Sequence, residues 1–228
     1  MKKIFKIIAT KQFIDTDINI SPSYKFLPAW YKKIKPFVDL NIQKVPTIKR
    51  CVPVLDSMSH GYMIYTIEDI FFNEETQEFD YFDLLSTKHP QEQIEGYPIP
   101  EEFYKIGFKW ENFLNIETPR GYSCLFTHPL HRLDLPFYTL PGLVDTDKHP
   151  LNINFPFVMR KGFSGTIPKG TPIIQIIPVK RDSWKIKIRR NKGRPDTKKN
   201  FESKFKSLAA NEENSVYKNY YRTKKEFE

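Results

Sequence analysis

The chain has 228 residues, 39% hydrophobic and 15% aromatic, enough for one large domain with a core rich in Phe and Tyr. Its 18 prolines outnumber its 9 glycines and interrupt short apolar runs, which suits β-strands joined by irregular loops and argues against a helical bundle. The whole net charge of +9 lies in the tail: residues 180–228 hold 16 Lys+Arg against 7 Asp+Glu, and the preceding residues balance at 20 and 20.

In chain order, KKIFKIIAT reads as a first strand. Lys6 interrupts this apolar start and no small-residue cleavage site follows, so a secretory signal is not expected. FLPAWYKKIKPF, residues 26–37, places Leu27, Trp30 and Ile34 on one face of a short helix that ends before Pro36. RCVPVL and GYMIYTIEDI read as two strands joined by the turn DSMSHG. FFNEETQEFDYFD reads as a hairpin with its polar tip at Asn73–Gln77, and 88–104 as a long polar loop. From Phe108, two more strands flank a turn at Thr118–Gly121. Strands at 137–145, 151–159 and 172–179 follow.

Lys185, Lys187 and Arg189 alternate with Ile186 and Ile188, the pattern of a last exposed strand. Beyond the NKGRPD break, Phe201, Phe205, Leu208, Ala209 and Val216 stand near helical spacing. The expected division is a β domain over 1–184 and a basic extension over 185–228. That extension is a candidate oligomerisation element. Its charge also admits nucleic acid as a partner, although Lys runs are commonly just solvated. No apolar run is long enough to span a bilayer, so no membrane partner is expected. Cys51 and Cys124 lie far apart, which fits a reducing compartment and no disulfide framework.

The candidate chemistry gathers in two places. Asp145 and Asp147 stand two apart at the end of a strand, which puts both on one face. Such a pair suits water activation or metal binding, or simply accepts turn N–H bonds. THPLHRLD carries His128, His131, Arg132 and Asp134 in a loop stiffened by Pro129 and Pro136. Metal ligation, contact with an anion and plain loop packing all remain open there. His60 and His89 are isolated, and both cysteines read as small core residues. Tyr217, Tyr220 and Tyr221 interleave with Lys218 and Arg222, which suits a stacking platform or a packing face. No Gly-rich phosphate loop, G-x-S-x-G elbow or C-x-x-C pair occurs, which removes most common enzyme classes.

Two resemblances follow. FLPAWYKK, TIKRCVPVLDSMSHGYMI, FKWENFLNIETPRGYSCLFTHPLHRLDLPF, GLVDTD and IPKGTPIIQIIPVKRDSW resemble a family of uncharacterised tailed-phage proteins, from about Phe26 to Trp184. This implies a phage origin and no settled activity. Separately, PRGYSCLF, GLVDTD and KGTPIIQIIP resemble, in order, three elements of the trimeric dUTPase and dCTP deaminase barrel, over residues 119–179. That resemblance implies a trimer, sites between subunits, Asp145 at the water-activating position and Gln175 on a later strand. HPLHRLDL stands where that superfamily has a Ser-Gly phosphate motif, and Lys148-His149-Pro150 where it has an aromatic followed by Gly.

The expectation is therefore a mainly β jelly-roll or barrel resembling the dUTPase fold, with a short N-terminal helix and a helical basic C-terminal extension. It would be a phage accessory protein in the cytoplasm of the infected host, or in the virion. It would bind a small phosphorylated ligand such as a nucleotide signal of the host, without turnover, through Arg120, His128, His131, Arg132, Asp145, Asp147 and Gln175. Two alternatives stand beside it. One is a divergent nucleotide hydrolase using Mg²⁺, with Asp145 as base. The other is a virion or assembly protein.

Overall fold

The computed structural model describes residues 3–9, 18–41, 43–80, 86–88, 90–188, 202–203 and 217–228. The protein is mainly β. In chain order the early strands are β1 (Lys6–Ala9), β2 (Ile20–Pro22), β3 (Phe37–Leu40), β4 (Gln43–Pro46), β5 (Tyr62–Tyr65), β6 (Ile70–Asn73), β7 (Glu78–Phe79) and β8 (Ser86–Lys88). The later ones are β9 (Phe103–Trp110), β10 (Leu114–Glu117), β11 (Tyr122–Thr127), β12 (Phe137–Thr139), β13 (Gly142–Val144), β14 (Phe155–Arg160), β15 (Gly165–Ile167) and β16 (Pro172–Lys180). Two short α-helices, α1 (Ala29–Lys33) and α2 (Val52–Ser59), precede most of them.

All the strand pairings are antiparallel, and they form separate sheets. The largest has five strands in the order β13-β11-β16-β5-β2, and the next has four, β12-β14-β9-β8. Among the described residues no sheet closes into a barrel. The chain divides into two compact units. The first comprises 1–28, 58–181 and 227–228; the second comprises 29–57 and 182–226.

The first unit holds the main core. The five- and four-stranded sheets contribute inward residues to one cluster that includes Phe108, Trp110, Phe126, Phe137, Phe155, Phe157 and Ile174. Alternation produces it: in β14, Phe155 and Phe157 turn inward while Pro156 does not. Trp110 is fully buried and stacks on Phe157 at a centroid distance of 3.8 Å and an interplanar angle of 6°. Its indole N–H donates to Thr139 Oγ1 at 3.3 Å, and Thr139 Oγ1 donates to the Ile173 carbonyl at 2.7 Å. This chain joins the two sheets through the core and pairs the Trp110 N–H, the Thr139 hydroxyl and the Ile173 carbonyl with one another. Gly61 adopts φ +76°, and a Cβ there would stand 2.0 Å from the Ile176 carbonyl oxygen. Only glycine allows β5 to enter beside β16 at that point.

In the second unit, β3 and β4 form a hairpin. Tyr31 on α1 is buried there, with Lys49 Nζ donating to its carbonyl at 2.6 Å and lying 4.4 Å from its ring centre. Arg222 forms a two-pronged ion pair with Asp56.

Several sequence expectations need correction. RCVPVL is not a strand: Val52–Ser59 is helical, with Pro53 in the first turn, where its missing N–H costs nothing. Residues 182–188 take neither helix nor strand. A strand needs a partner for its backbone, and among the described residues Ser183–Ile188 make no backbone hydrogen bond. The long strand expected at 137–145 is two short ones, β12 and β13, broken at Leu140–Pro141. Phe201, Phe205, Leu208, Ala209 and Val216, expected in tail helices, lie outside the described residues, as do His89 and Arg189. What is described there includes one π-helical turn, Tyr217–Tyr221.

Replacing Trp110 with Ala removes the largest side chain of the core and one end of the buried hydrogen-bond chain. Urea denaturation is expected to show a loss of about 3–5 kcal/mol.

Candidate functional site

The Asp-x-Asp motif lies just past the end of β13, in a turn rather than on the strand. Its carboxylates nevertheless converge, because β11 lies between β13 and β16 and brings Arg181 to them. Arg181 Nη1 donates to Asp147 Oδ1 at 2.6 Å and lies 3.2 Å from Asp145 Oδ1; Nη2 donates to Asp147 Oδ2. The same guanidinium donates to the Tyr122 carbonyl at 3.1 Å. Gly121 N–H donates to Asp147 Oδ2 at 2.8 Å, and Ser123 Oγ donates to Asp145 Oδ1 at 2.7 Å.

Every donor in this set favours the ionised acid. The Arg181 hydrogen bonds, aided by the Gly121 N–H, pull Asp147 down to about 2. The Ser123 hydroxyl, and then Arg181, hold Asp145 below the ordinary aspartate value. A carboxylate so tightly held is a weak base. The clamp fastens the β13 end to the β11 and β16 ends.

The second region collects around a cavity of about 300 Å³ in the first unit. Tyr97–Pro100, Phe103 on β9, the 128–135 loop, Tyr138 on β12 and Arg160 on β14 line it. Aromatic and aliphatic surfaces form most of the wall. Two guanidiniums, Arg132 and Arg160, supply the cationic groups, with Glu102 nearby.

The 128–135 loop is held from both ends. His128 is buried. Its Nδ1 accepts from the Thr139 N–H at 3.3 Å, so its Nε2 carries the proton and donates to the Arg132 carbonyl at 3.0 Å. Burial pushes this imidazole below the ordinary histidine value, and the Arg132 and Arg160 charges push the same way. The ring is therefore neutral near pH 7. Gln175, fully buried on β16, accepts from the Leu130 N–H at 3.0 Å and donates to the His60 carbonyl at 2.7 Å. His131 takes φ +62° at the loop tip, unusual for a residue with a Cβ.

Arg132 and Arg160 differ in one respect. Arg132 makes a bidentate pair with Asp134, at 2.9 Å from Nε and 2.9 Å from Nη2. Arg160 packs its guanidinium over the Phe103 ring at 5.0 Å, and among the described residues it has no carboxylate partner.

Of the residues singled out in the sequence, the cavity takes His128 and Arg132, with Gln175 supporting its rim from behind. His131 is exposed on the same loop. Asp145 and Asp147 belong to the clamp, and exposed Arg120 adjoins its Gly121. Arg160, Phe103, Tyr138 and Tyr97 were missed. An arginine closing the apolar run FPFVMR was the available signal for Arg160. Among the described residues, no three His, Cys, Asp or Glu side chains gather as metal ligands would, and no helix is long and apolar enough to cross a membrane. No family model, curated protein or solved structure matches the chain.

Replacing Arg181 with Met is expected to lower stability at neutral pH and to blunt its dependence on acid. Both aspartates have depressed folded values, so their contribution is full above the unfolded value near 4 and is lost as pH falls towards 2. Thermal melts from pH 7 to pH 2 should show that acid-dependent loss in the native protein. In Arg181→Met it should shrink, with a lower melting temperature already at pH 7.

Proposed function

We propose that this protein binds a small phosphorylated ligand, a nucleotide or nucleotide-like signal, in the cavity beside Arg160, and does so without turning it over. One observation carries the reading: a guanidinium without a carboxylate partner, stacked on an aromatic ring at the wall of a mainly apolar pocket. An anion completes such a group, and Arg is the side chain whose fork matches phosphate oxygens. Phe103, Tyr138 and Tyr97 offer faces for a planar base. The volume is at the lower bound for small-molecule sites, roughly 300 Å³, which favours a mononucleotide over a dinucleotide.

Binding is favoured over hydrolysis for a chemical reason. The acid that the dUTPase resemblance makes a base, Asp145, accepts from Ser123 and faces Arg181. The neutral His128 has both nitrogens committed to the backbone. The resemblance to a phage family supplies a setting in which a ligand-binding protein sequesters a host nucleotide.

A thermal-shift screen with nucleoside mono- and triphosphates, cyclic dinucleotides, ADP-ribose and inorganic phosphate tests this, with and without Mg²⁺. A ligand at 100 times its dissociation constant stabilises the fold by about 2.7 kcal/mol. Arg160→Met is expected to abolish the shift and Asp145→Asn to leave it intact. The reverse pattern, with Mg²⁺-dependent pyrophosphate release, would establish the hydrolase instead. A flat screen across the set would end the ligand reading and favour the virion role.

A further inference from the structure

The second unit holds both a strand without a sheet and a sheet edge without a strand. Among the described residues, Ser183–Ile188 make no backbone hydrogen bond. Trp184, Ile186 and Ile188 are each more than 80% exposed. They alternate with Lys185 and Lys187, so an extended backbone sets the apolar groups on one face and the cations on the other. The edge is β3. It pairs with β4 along one side and, among the described residues, with no strand along the other. All four of its residues are exposed. Val38 and Leu40 share one face with Val45 of β4, while Phe37 and Asp39 share the opposite face with Pro46 and Lys44. A two-stranded ribbon of this kind is marginal by itself and gains from a third strand.

We infer that the 183–188 segment of one copy of this chain adds as a third strand along the free edge of β3 in a second copy. Main-chain hydrogen bonds supply the affinity of such an addition, and alternating side chains supply its specificity. Matching like faces puts Trp184, Ile186 and Ile188 on the side of Val38 and Leu40, and the two lysines on the side of Asp39. The charges on the ribbon itself select the strand: β3 offers Asp39 to an incoming lysine, whereas β4 offers Lys44. Arg50 lies over the Phe37 ring at 5.1 Å, so a lysine is better placed beside Asp39 than beside Phe37. Pairing segment with segment would set lysines against lysines. A nucleic-acid strand would use Trp184 for stacking and the lysines for phosphate, yet alternation puts those groups on opposite faces. The chain itself carries both matching halves, which makes a second copy the fitting partner.

The test is sedimentation velocity on the full chain over a range of concentrations, before and after nuclease treatment. The native protein should sediment at two or more times the chain mass. Trp184→Glu/Ile186→Glu should give monomers, with circular dichroism and melting temperature unchanged because both side chains are exposed. Asp39→Lys alone, and Lys185→Asp/Lys187→Asp alone, should each raise the dissociation constant about tenfold by opposing like charges. An equimolar mixture of those two charge variants should regain near-native affinity, since each segment then meets an edge of opposite sign. A monomeric native protein, a Trp184→Glu/Ile186→Glu variant of native mass, charge variants that associate as tightly as the native chain, a mixture no tighter than its components, or association lost on nuclease treatment would each overturn the inference. None of these outcomes depends on ligand binding at Arg160.

Discussion

Gln175 sits on the central strand of the largest sheet with no exposed surface, and its amide reaches in two directions. The oxygen takes the Leu130 N–H, and the nitrogen gives to the His60 carbonyl. A buried amide left unsatisfied costs about 1–3 kcal/mol, so both loops are obliged to stay where they meet it. One of them is the turn into β5, where Gly61 passes close to β16. The other is the stiff loop that presents Arg132 and lets Leu133 and Leu135 wall the cavity. His128 fastens the far end of the same loop. The pocket's shape thus follows from polar groups behind it, and its walls are left free to be apolar.

Arg181 and Arg160 place their donors differently. Arg181 meets Asp145, Asp147 and the Tyr122 carbonyl, so its donors are spent inside the protein. Arg160 has an aromatic ring beneath it and a cavity beside it. The ring stabilises the charge without using any of the guanidinium's hydrogen-bond donors. The first arrangement gives rigidity at three strand ends. The second leaves the guanidinium at the cavity wall, where the proposed ligand would meet it.

Alternation and short apolar runs made much of the fold legible. β5 follows from its period-two pattern, and β11, β14 and β16, with the β6–β7 hairpin and its polar tip at Asn73–Gln77, follow from short apolar runs bounded by turn residues. The VPVLDSMS run misled because a short apolar stretch fits a buried strand as well as a helix, and Pro53 suits a helix start. The site was less legible, since sequence pairs neighbours and the sheet pairs strangers. Asp145 and Asp147 were visible as a pair, but Arg181 reaches them only because β11 brings β13 and β16 together. Arg160 and Phe103 lie far apart in sequence and become adjacent through the β14–β9 pairing, in which they are register partners.

The two cysteines sit in contrasting settings. Cys124 is buried in the core of the first unit, and burial raises its thiol to about 11, so the reactive thiolate is scarce there at neutral pH. Cys51 is only half-buried, at the entrance to α2. An alkylating reagent therefore has one address on the native protein and a second only when the core opens. The lag between the two modifications is a clock for that opening, built into the chain without any engineered label.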